Sequence, residues 1–499
     1  MVKSTQVGEK KIASGMKAFF ESDVYPAVVA LLVILGHVLG IEIYLGAAII
    51  AMVVASLILC DGIKPFIMPL ITFIYLVNLK HTPGHPNFND DYYFKAPNVI
   101  IIIILAAVLV VALVYRSYKI FRPNFRRSTI MLLPLSLLSL AFLCNGFFSG
   151  GYSYLSLVYG ITQIAVYFFL FYLFYFGLRK ENFESLMRYL TLVTVLAAMV
   201  LVAEMAFLYI AYRDLVIQNG AINQNNISLG WGIWNPVGVS IALLIPMQIY
   251  GAIKYKRPYI YILSAILTYA AALLTLSRNA MIFATAALLG SVVVGCFYGK
   301  RKKAFRIVTA VGGALTVIFA LAGAVLFFDR LPELFGKVFA ELIDPNGRLE
   351  LWAQGLNNFR SAPIFGTGFM GFGENETFEA ISFIPDMAHN TVIQLFSSMG
   401  IFGFGAYLYY RVCSLKPFFK VPTLEKTMML MAILTVLIMS LLDNFVFYIY
   451  IMFYPTILLA VAHRFRYDGE RRVKSFDANQ LEITEDCSFI DVRIKPTKK

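Results

Sequence analysis

The sequence predicts an all-α, polytopic transmembrane helix bundle of about fourteen spans, with a helical extracytoplasmic loop near residues 329–388. Three observations lead there. Hydrophobic residues make up 59% of the 499 positions and charged residues only 14%, against roughly 45–50% and 25% in soluble domains. The apolar residues fall into runs long enough to cross about 30 Å of hydrocarbon as helix. The basic residues between those runs follow the positive-inside rule.

In chain order, residues 1–23 read as a cytoplasmic N-terminus carrying Lys3, Lys10, Lys11 and Lys17. No small-residue cleavage site follows the first apolar run, so that run stays as a signal anchor. Spans are placed at 24–41, 43–60, 63–79, 98–115, 129–148, 157–178 and 189–211, then at 233–252, 259–276, 280–298 and 307–328. Helices one to eleven thus occupy 24–328. The stretch 329–388 is an extracytoplasmic catalytic loop, and 389–462 holds the last spans at 389–410, 427–442 and 447–462. Residues 463–499 mix charges of both signs with little apolar periodicity and read as a solvated cytoplasmic tail.

With the N-terminus inside, the outer connections keep only Lys80, Lys95, Arg213, Arg278, Arg330, Lys337, Arg348 and Arg360 of the 42 basic residues. The net charge of +13 therefore sits in short loops along a membrane face, and nucleic acid is excluded as a partner. Cys60, Cys144, Cys296, Cys413 and Cys487 lack CxxC spacing, and the five histidines are too few and scattered for an imidazole cluster. Neither a metal nor another cofactor is expected.

Most outer connections are short, and a long one in a compact protein is usually functional. Within 329–388, Leu331, Leu334, Phe335, Val338, Phe339, Leu342 and Ile343 line one face of a helix. Asp344-Pro345-Asn346-Gly347 then makes a turn. A second helix runs from about Arg348 to Arg360, with Leu349, Trp352, Leu356 and Phe359 on one side. Arg348 stands in its first turn, where the helix dipole disfavours a cation. Free N–H groups beside a guanidinium fork make a receptor for phosphate; the alternative is a surface arginine paired with Glu350 or Asp344.

Arg278 interrupts two apolar runs within Ser277-Arg278-Asn279. Ionisable groups near membrane depth usually face a cavity or a substrate, although an arginine there can also reach to lipid headgroups. His389 falls where the next span begins. A positive helix end and nearby arginines would favour neutral imidazole, which can accept a proton from a hydroxyl; a simple helix cap or interfacial histidine is the other reading. Gly366, Gly368, Gly371 and Gly373 contain a GxGxxG match without a βαβ context, so they serve tight turns or close backbone approach rather than a dinucleotide. Glu204 and Asp443 are carboxylates within or between spans.

Taken in order, Ser277-Arg278-Asn279, Gly347-Arg348 leading to Trp352, Pro363-Ile364-Phe365-Gly366-Thr367-Gly368, and His389-Asn390 followed by Gly400 and Gly403 resemble the signature of the O-antigen ligase and polymerase superfamily, over about residues 225–410. Trp234-Asn235-Pro236-Val237-Gly238 resembles the family's asparagine-proline-asparagine stretch, with Val237 where a second asparagine is common. The resemblance implies a metal-independent, inverting glycosyltransferase of the bacterial inner (cytoplasmic) membrane, with its active site on the extracytoplasmic face. It implies an undecaprenyl pyrophosphate-linked glycan as donor and a glycan, lipid or wall-polymer hydroxyl as acceptor. Arg278 and Arg348 would hold the pyrophosphate and His389 would activate the acceptor, with Asn235, Asn390 and Arg213 as further substrate contacts. About fourteen spans favour a polymerase over a ligase. A flippase for lipid-linked oligosaccharide is the alternative, disfavoured because the halves show no repeat and the polar interest collects in one loop.

Overall fold

The computed structural model describes residues 13–77, 93, 96–124, 129–149, 153–218, 221–298, 348–371, 387–420, 422–474, 481–484 and 491–494. Helices account for nearly all of these. The first two, α1 (Ala13–Glu21) and α2 (Val24–Leu39), meet at 76°. Gly40 closes α2 in the left-handed region at φ 67°, returning its N–H to Gly36 O, as a chain that must reverse at a helix end requires. Next come α3 (Glu42–Leu59), α4 (Ile67–Leu76), α5 (Asn98–Phe121) and α6 (Leu132–Leu143). Ser153 Oγ caps α7 (Tyr154–Gly177) by accepting from Ser156 N, and Asn182 Oδ1 caps α8 (Phe183–Ala211) by accepting from Glu184 N and Ser185 N. Each cap occupies N–H groups that the helix itself leaves without partners.

The second half continues with α9 (Trp234–Lys254), α10 (Pro258–Leu274) and α11 (Arg278–Tyr298), then α12 (Arg348–Ser361), α13 (Thr391–Lys420), α14 (Leu424–Met439) and α15 (Ile449–Lys474). The helix α9 is interrupted at Leu243–Leu244, just ahead of Pro246, whose ring removes an N–H from the ladder. It is buried from Pro236 to Ile253 and packs on α8, α10, α11 and α14. At the other extreme, α5 touches few neighbours and turns nearly all of its apolar surface outward. An apolar exterior of this kind fits a hydrocarbon surround.

Among the described residues seven helices are long and apolar enough to cross a membrane, or up to eight if the bent α1–α2 pair is one span. The predicted runs coincide with helix, except 307–328, which lies outside the described residues together with the expected helix at 331–343 and the turn at 344–347. Two runs yield less helix than expected. The run at 63–79 gives α4, of 10 residues, behind a 3₁₀ turn, and 129–148 gives α6, of 12 residues. The latter stops because Cys144 to Ser149 turn away, with Gly146 at φ 70°. The predicted tail also begins too early. The last helix continues through 463 to Lys474, where His463 Nε2 meets Ser414 O at 3.0 Å and Arg464 Nη2 donates to Arg179 O at 3.1 Å. Beyond it, Leu481–Thr484 and Asp491–Ile494 pair as antiparallel strands.

The helix α13 bends at Gly400, which adopts φ 62°. Into that bend fits the segment from Pro363 to Gly371. Thr367 N and Gly368 N donate to Ser397 O and Ser398 O at 2.8 and 3.0 Å, while Ile401 N and Phe402 N donate to Pro363 O and Ile364 O at 2.9 and 3.2 Å. The far side is held by Gly146 N to Phe365 O, Phe369 N to Asn145 Oδ1 and Met370 N to Ser156 Oγ. Backbone lies directly on backbone here. A Cβ at Gly366 would collide with Ser398 and Met399, and one at Gly400 with the Ile364 carbonyl. The glycines of the GxGxxG match therefore make a strap stapling α12 to α13.

Gly400→Ala is expected to destabilise the detergent-purified protein by about 2 kcal/mol or more, because both the positive φ and the neighbouring backbone oppose a side chain. Gly405→Ala, one turn further along with open space around it, should be neutral or stabilising by up to about 1 kcal/mol. Thermal unfolding of the two variants side by side checks the contrast.

Candidate functional site

Five stretches far apart in sequence bring their polar residues to one place at the helix ends. The central contact is His389 Nδ1 to Asp443 Oδ1 at 3.0 Å. His389 lies just before α13, with φ 49°, a left-handed conformation uncommon for a residue with a side chain. Asp443 lies in the break between α14 and α15 and is almost fully buried, whereas His389 is part-exposed. The same Oδ1 also accepts from Asn444 N at 2.8 Å. Oδ2 receives Asn235 Nδ2 at 3.4 Å, and Asn235 Oδ1 accepts from Ser277 Oγ at 2.6 Å. Asn235, at the start of α9, thus links the pair to the α10–α11 junction where Arg278 begins its helix.

That junction is locally constrained. Leu276 has φ 53°, and Gln224 Nε2 donates to its carbonyl at 2.9 Å. Ser277 Oγ also accepts from Ala280 N at 3.3 Å, starting α11 so that Arg278 projects into an exposed position. Arg278 and Arg348 lie close enough to act on one another electrostatically. Two cations that feel one another's charge, one of them bonded next to Asp443, can attract a multiply charged anion.

Arg348 is the first residue of α12. Its Nη1 donates to Leu442 O at 2.8 Å, next to Asp443, and Trp352 Nε1 donates to Ala388 O at 3.0 Å, next to His389. One turn of helix thus braces both members of the pair. These bonds also set the helix rotation: Arg348, Trp352, Gly355 and Phe359 face the bundle, with Phe359 against Phe396 at 5.1 Å. Leu349 and Leu356, grouped by spacing with Trp352 and Phe359, are exposed. The donors on Arg348 and Trp352 fix the face that docks.

Asn390 caps α13, its Oδ1 accepting from Val392 N and Ile393 N at 2.9 and 3.2 Å. Its carbonyl is thereby engaged in starting the helix, and of the expected substrate contacts it has the clearest structural duty. Arg213 opens the single turn Arg213–Val216, is exposed, and shares no hydrogen bond or ion pair with the cluster among the described residues. Glu204 lies elsewhere, fully buried within α8, where its Oε2 accepts from Trp231 Nε1 at 3.1 Å.

Sequence reasoning overlooked three contributors. Gln394 Oε1 accepts from Ala388 N at 2.7 Å and meets Asn444 Nδ2 at 3.5 Å, so one buried amide ties the His389 and Asp443 segments together. Ser277 was read only as part of a motif, and Asp443 only as an interfacial carboxylate. The signal for Asp443 was present in the sequence, since a buried acid at a break between apolar runs needs a partner.

Residues 263–408 match the family model described as O-antigen ligase. Over that stretch the chain is similar to the O-antigen ligase family, which supports the resemblance read from the sequence. The matched segment contains Arg278, Arg348 and His389, while Asn235 and Asp443 reach the O-antigen ligase segment from either side of it. No curated protein matches the sequence.

Asp443→Ala is expected to release the His389 ring and leave Asn235 without its acceptor, at a cost of about 1–3 kcal/mol. Asp443→Asn should cost less, because the amide oxygen can still accept from Nδ1–H. Unfolding of the purified variants checks the order.

Proposed function

We propose that the chain is a membrane glycosyltransferase that moves a glycan from undecaprenyl pyrophosphate to an acceptor hydroxyl, and that it does so at the cluster around His389. The observation that supports this best is a carboxylate-braced imidazole at helix ends, with Arg348 bonded beside it and Arg278 within electrostatic reach of Arg348. With Asp443 accepting from Nδ1–H, His389 keeps its lone pair on Nε2. Nε2 takes the acceptor proton, the acceptor oxygen attacks the anomeric carbon, and the bond to the pyrophosphate oxygen breaks with its electron pair on the leaving group. Attack opposite the departing pyrophosphate inverts the anomeric centre. Arg278 and Arg348 hold the leaving pyrophosphate and balance its growing charge, the role a divalent metal has in other transferases.

A lipid-linked donor brings its own leaving group and keeps its tail in the bilayer, which suits a site at helix ends rather than in a separate domain. The distribution of basic residues supports a site on the extracytoplasmic face of the bacterial cytoplasmic membrane, the face that a fourteen-span reading gives it. That topology favours joining of repeat units, a polymerase, over transfer of a finished glycan. The glycan, lipid or wall acceptor remains the variable part of the reaction.

The test is transfer in liposomes holding the purified protein, with no ion gradient. The donor is the undecaprenyl pyrophosphate-linked glycan that accumulates in cells lacking the gene. Turnover should persist in EDTA. Arg278→Ala, Arg348→Ala and His389→Ala should each lower the rate by roughly 10²–10³ with normal membrane insertion, and Arg278→Lys should recover only part, since lysine lacks the planar fork. Movement of donor across the bilayer without product would favour a flippase, and full activity in Arg278→Lys would remove the bidentate phosphate contact.

A further inference from the structure

The segment carrying Asp443 is held from a direction the catalytic reading does not use. Between α14 and α15 the chain passes through a 3₁₀ turn, Phe445–Phe447, whose carbonyls cannot all find helical partners. Three side chains of α7 reach them. Tyr159 Oη and Gln163 Nε2 both donate to Phe447 O, at 2.7 and 2.8 Å, and Tyr167 Oη donates to Val446 O at 2.7 Å. Tyr167 is in turn approached by Arg411 of α13, whose Nη2 donates to its oxygen at 3.2 Å.

The helix is shaped for this. Residues Ala165–Leu170 of α7 form a π-helical turn, a rare feature that often accompanies functional sites. In a regular α-helix, residues four apart drift about 40° around the axis, so Tyr159, Gln163 and Tyr167 would fan apart. The wider π turn offsets that drift and keeps all three aimed at one strip of backbone. Each is fully buried or nearly so, and Phe369 of the strap lies against both Tyr159 and Phe447, with ring centroids at 4.8 and 5.3 Å.

We propose that Tyr159, Gln163 and Tyr167 are positioning residues that fix the height and direction of Asp443 against His389, so that the π-bulged helix sets the competence of the base. This rests on the reading of His389 as the proton acceptor. The three residues act through backbone, not through substrate, and Arg411 restrains Tyr167 from behind. Satisfying buried carbonyls would stabilise the fold at any such break; what distinguishes a positioning role is coupling to Asp443.

The experiment is a double-mutant cycle in the purified, liposome-reconstituted protein, pairing Tyr159→Phe with Gln163→Leu as one change and Asp443→Asn as the other. Transfer is measured with the undecaprenyl pyrophosphate-linked glycan from cells lacking the gene. Diethyl pyrocarbonate modification of the His389 peptide is followed at fixed pH by mass spectrometry. The clamp variant should lose roughly ten- to hundredfold in kcat with donor KM within about twofold, and adding it to Asp443→Asn should cost little more. Its His389 modification rate should match that of Asp443→Asn. Tyr167→Phe, which removes one bond to the turn together with the contact from Arg411, provides the same comparison if the first variant does not fold. Additive losses in kcat, or a His389 modification rate equal to the unmutated protein's, would overturn the proposal. If the unmutated protein transfers no glycan, the glycosyltransferase reading fails, and the modification rates alone still decide whether the clamp governs the His389–Asp443 contact.

Discussion

The His389–Asp443 hydrogen bond joins the start of α13 to the break between α14 and α15, and much of the surrounding structure supports those two helix ends. A broken helix exposes N–H and C=O groups that hydrocarbon cannot satisfy. The protein supplies the missing partners from side chains: Gln394 for Ala388 N, Trp352 for Ala388 O, Arg348 for Leu442 O, and Tyr159, Gln163 and Tyr167 for the carbonyls beyond Asp443. Each of these bonds stabilises a break and, in doing so, fixes where a functional side chain stands.

The same economy explains the strap. Glycines that resemble a nucleotide loop in one dimension serve in three dimensions to let backbone lie on backbone at the bend of α13. By holding α12 against α13, they deliver Arg348 and Trp352 to the two segments that meet at the site. A helix whose first residue is a cation is locally unfavourable. Here the unfavourable start is offset by a carbonyl at 2.8 Å, and the guanidinium stays within electrostatic reach of Arg278.

How much of this was legible in the sequence depended on whether the signal was local. Apolar runs gave the helices, because length and hydropathy are properties of a single segment, and the charged exceptions Arg278, Arg348 and His389 stood out against an apolar background. The pairing of His389 with Asp443 was not legible, since 54 positions separate them and no periodicity links the two. The docked face of α12 was not legible for a related reason: the spacing of Leu349, Trp352, Leu356 and Phe359 groups them on one side, while the helix is turned by two hydrogen bonds to distant carbonyls that leave Leu349 and Leu356 exposed. Short helices at α4 and α6 escaped too, because an apolar run does not announce where the chain turns inside it.

The account's central claim is that a pyrophosphate sits between Arg278 and Arg348 with the anomeric carbon facing His389. A cryo-EM structure of the protein in nanodiscs with the undecaprenyl pyrophosphate-linked glycan tests it most directly. The account predicts phosphate density within hydrogen-bonding distance of both guanidiniums and the first sugar beside His389 Nε2. Pyrophosphate density elsewhere in the bundle, with Arg278 and Arg348 contacting only protein or lipid headgroups, would contradict it.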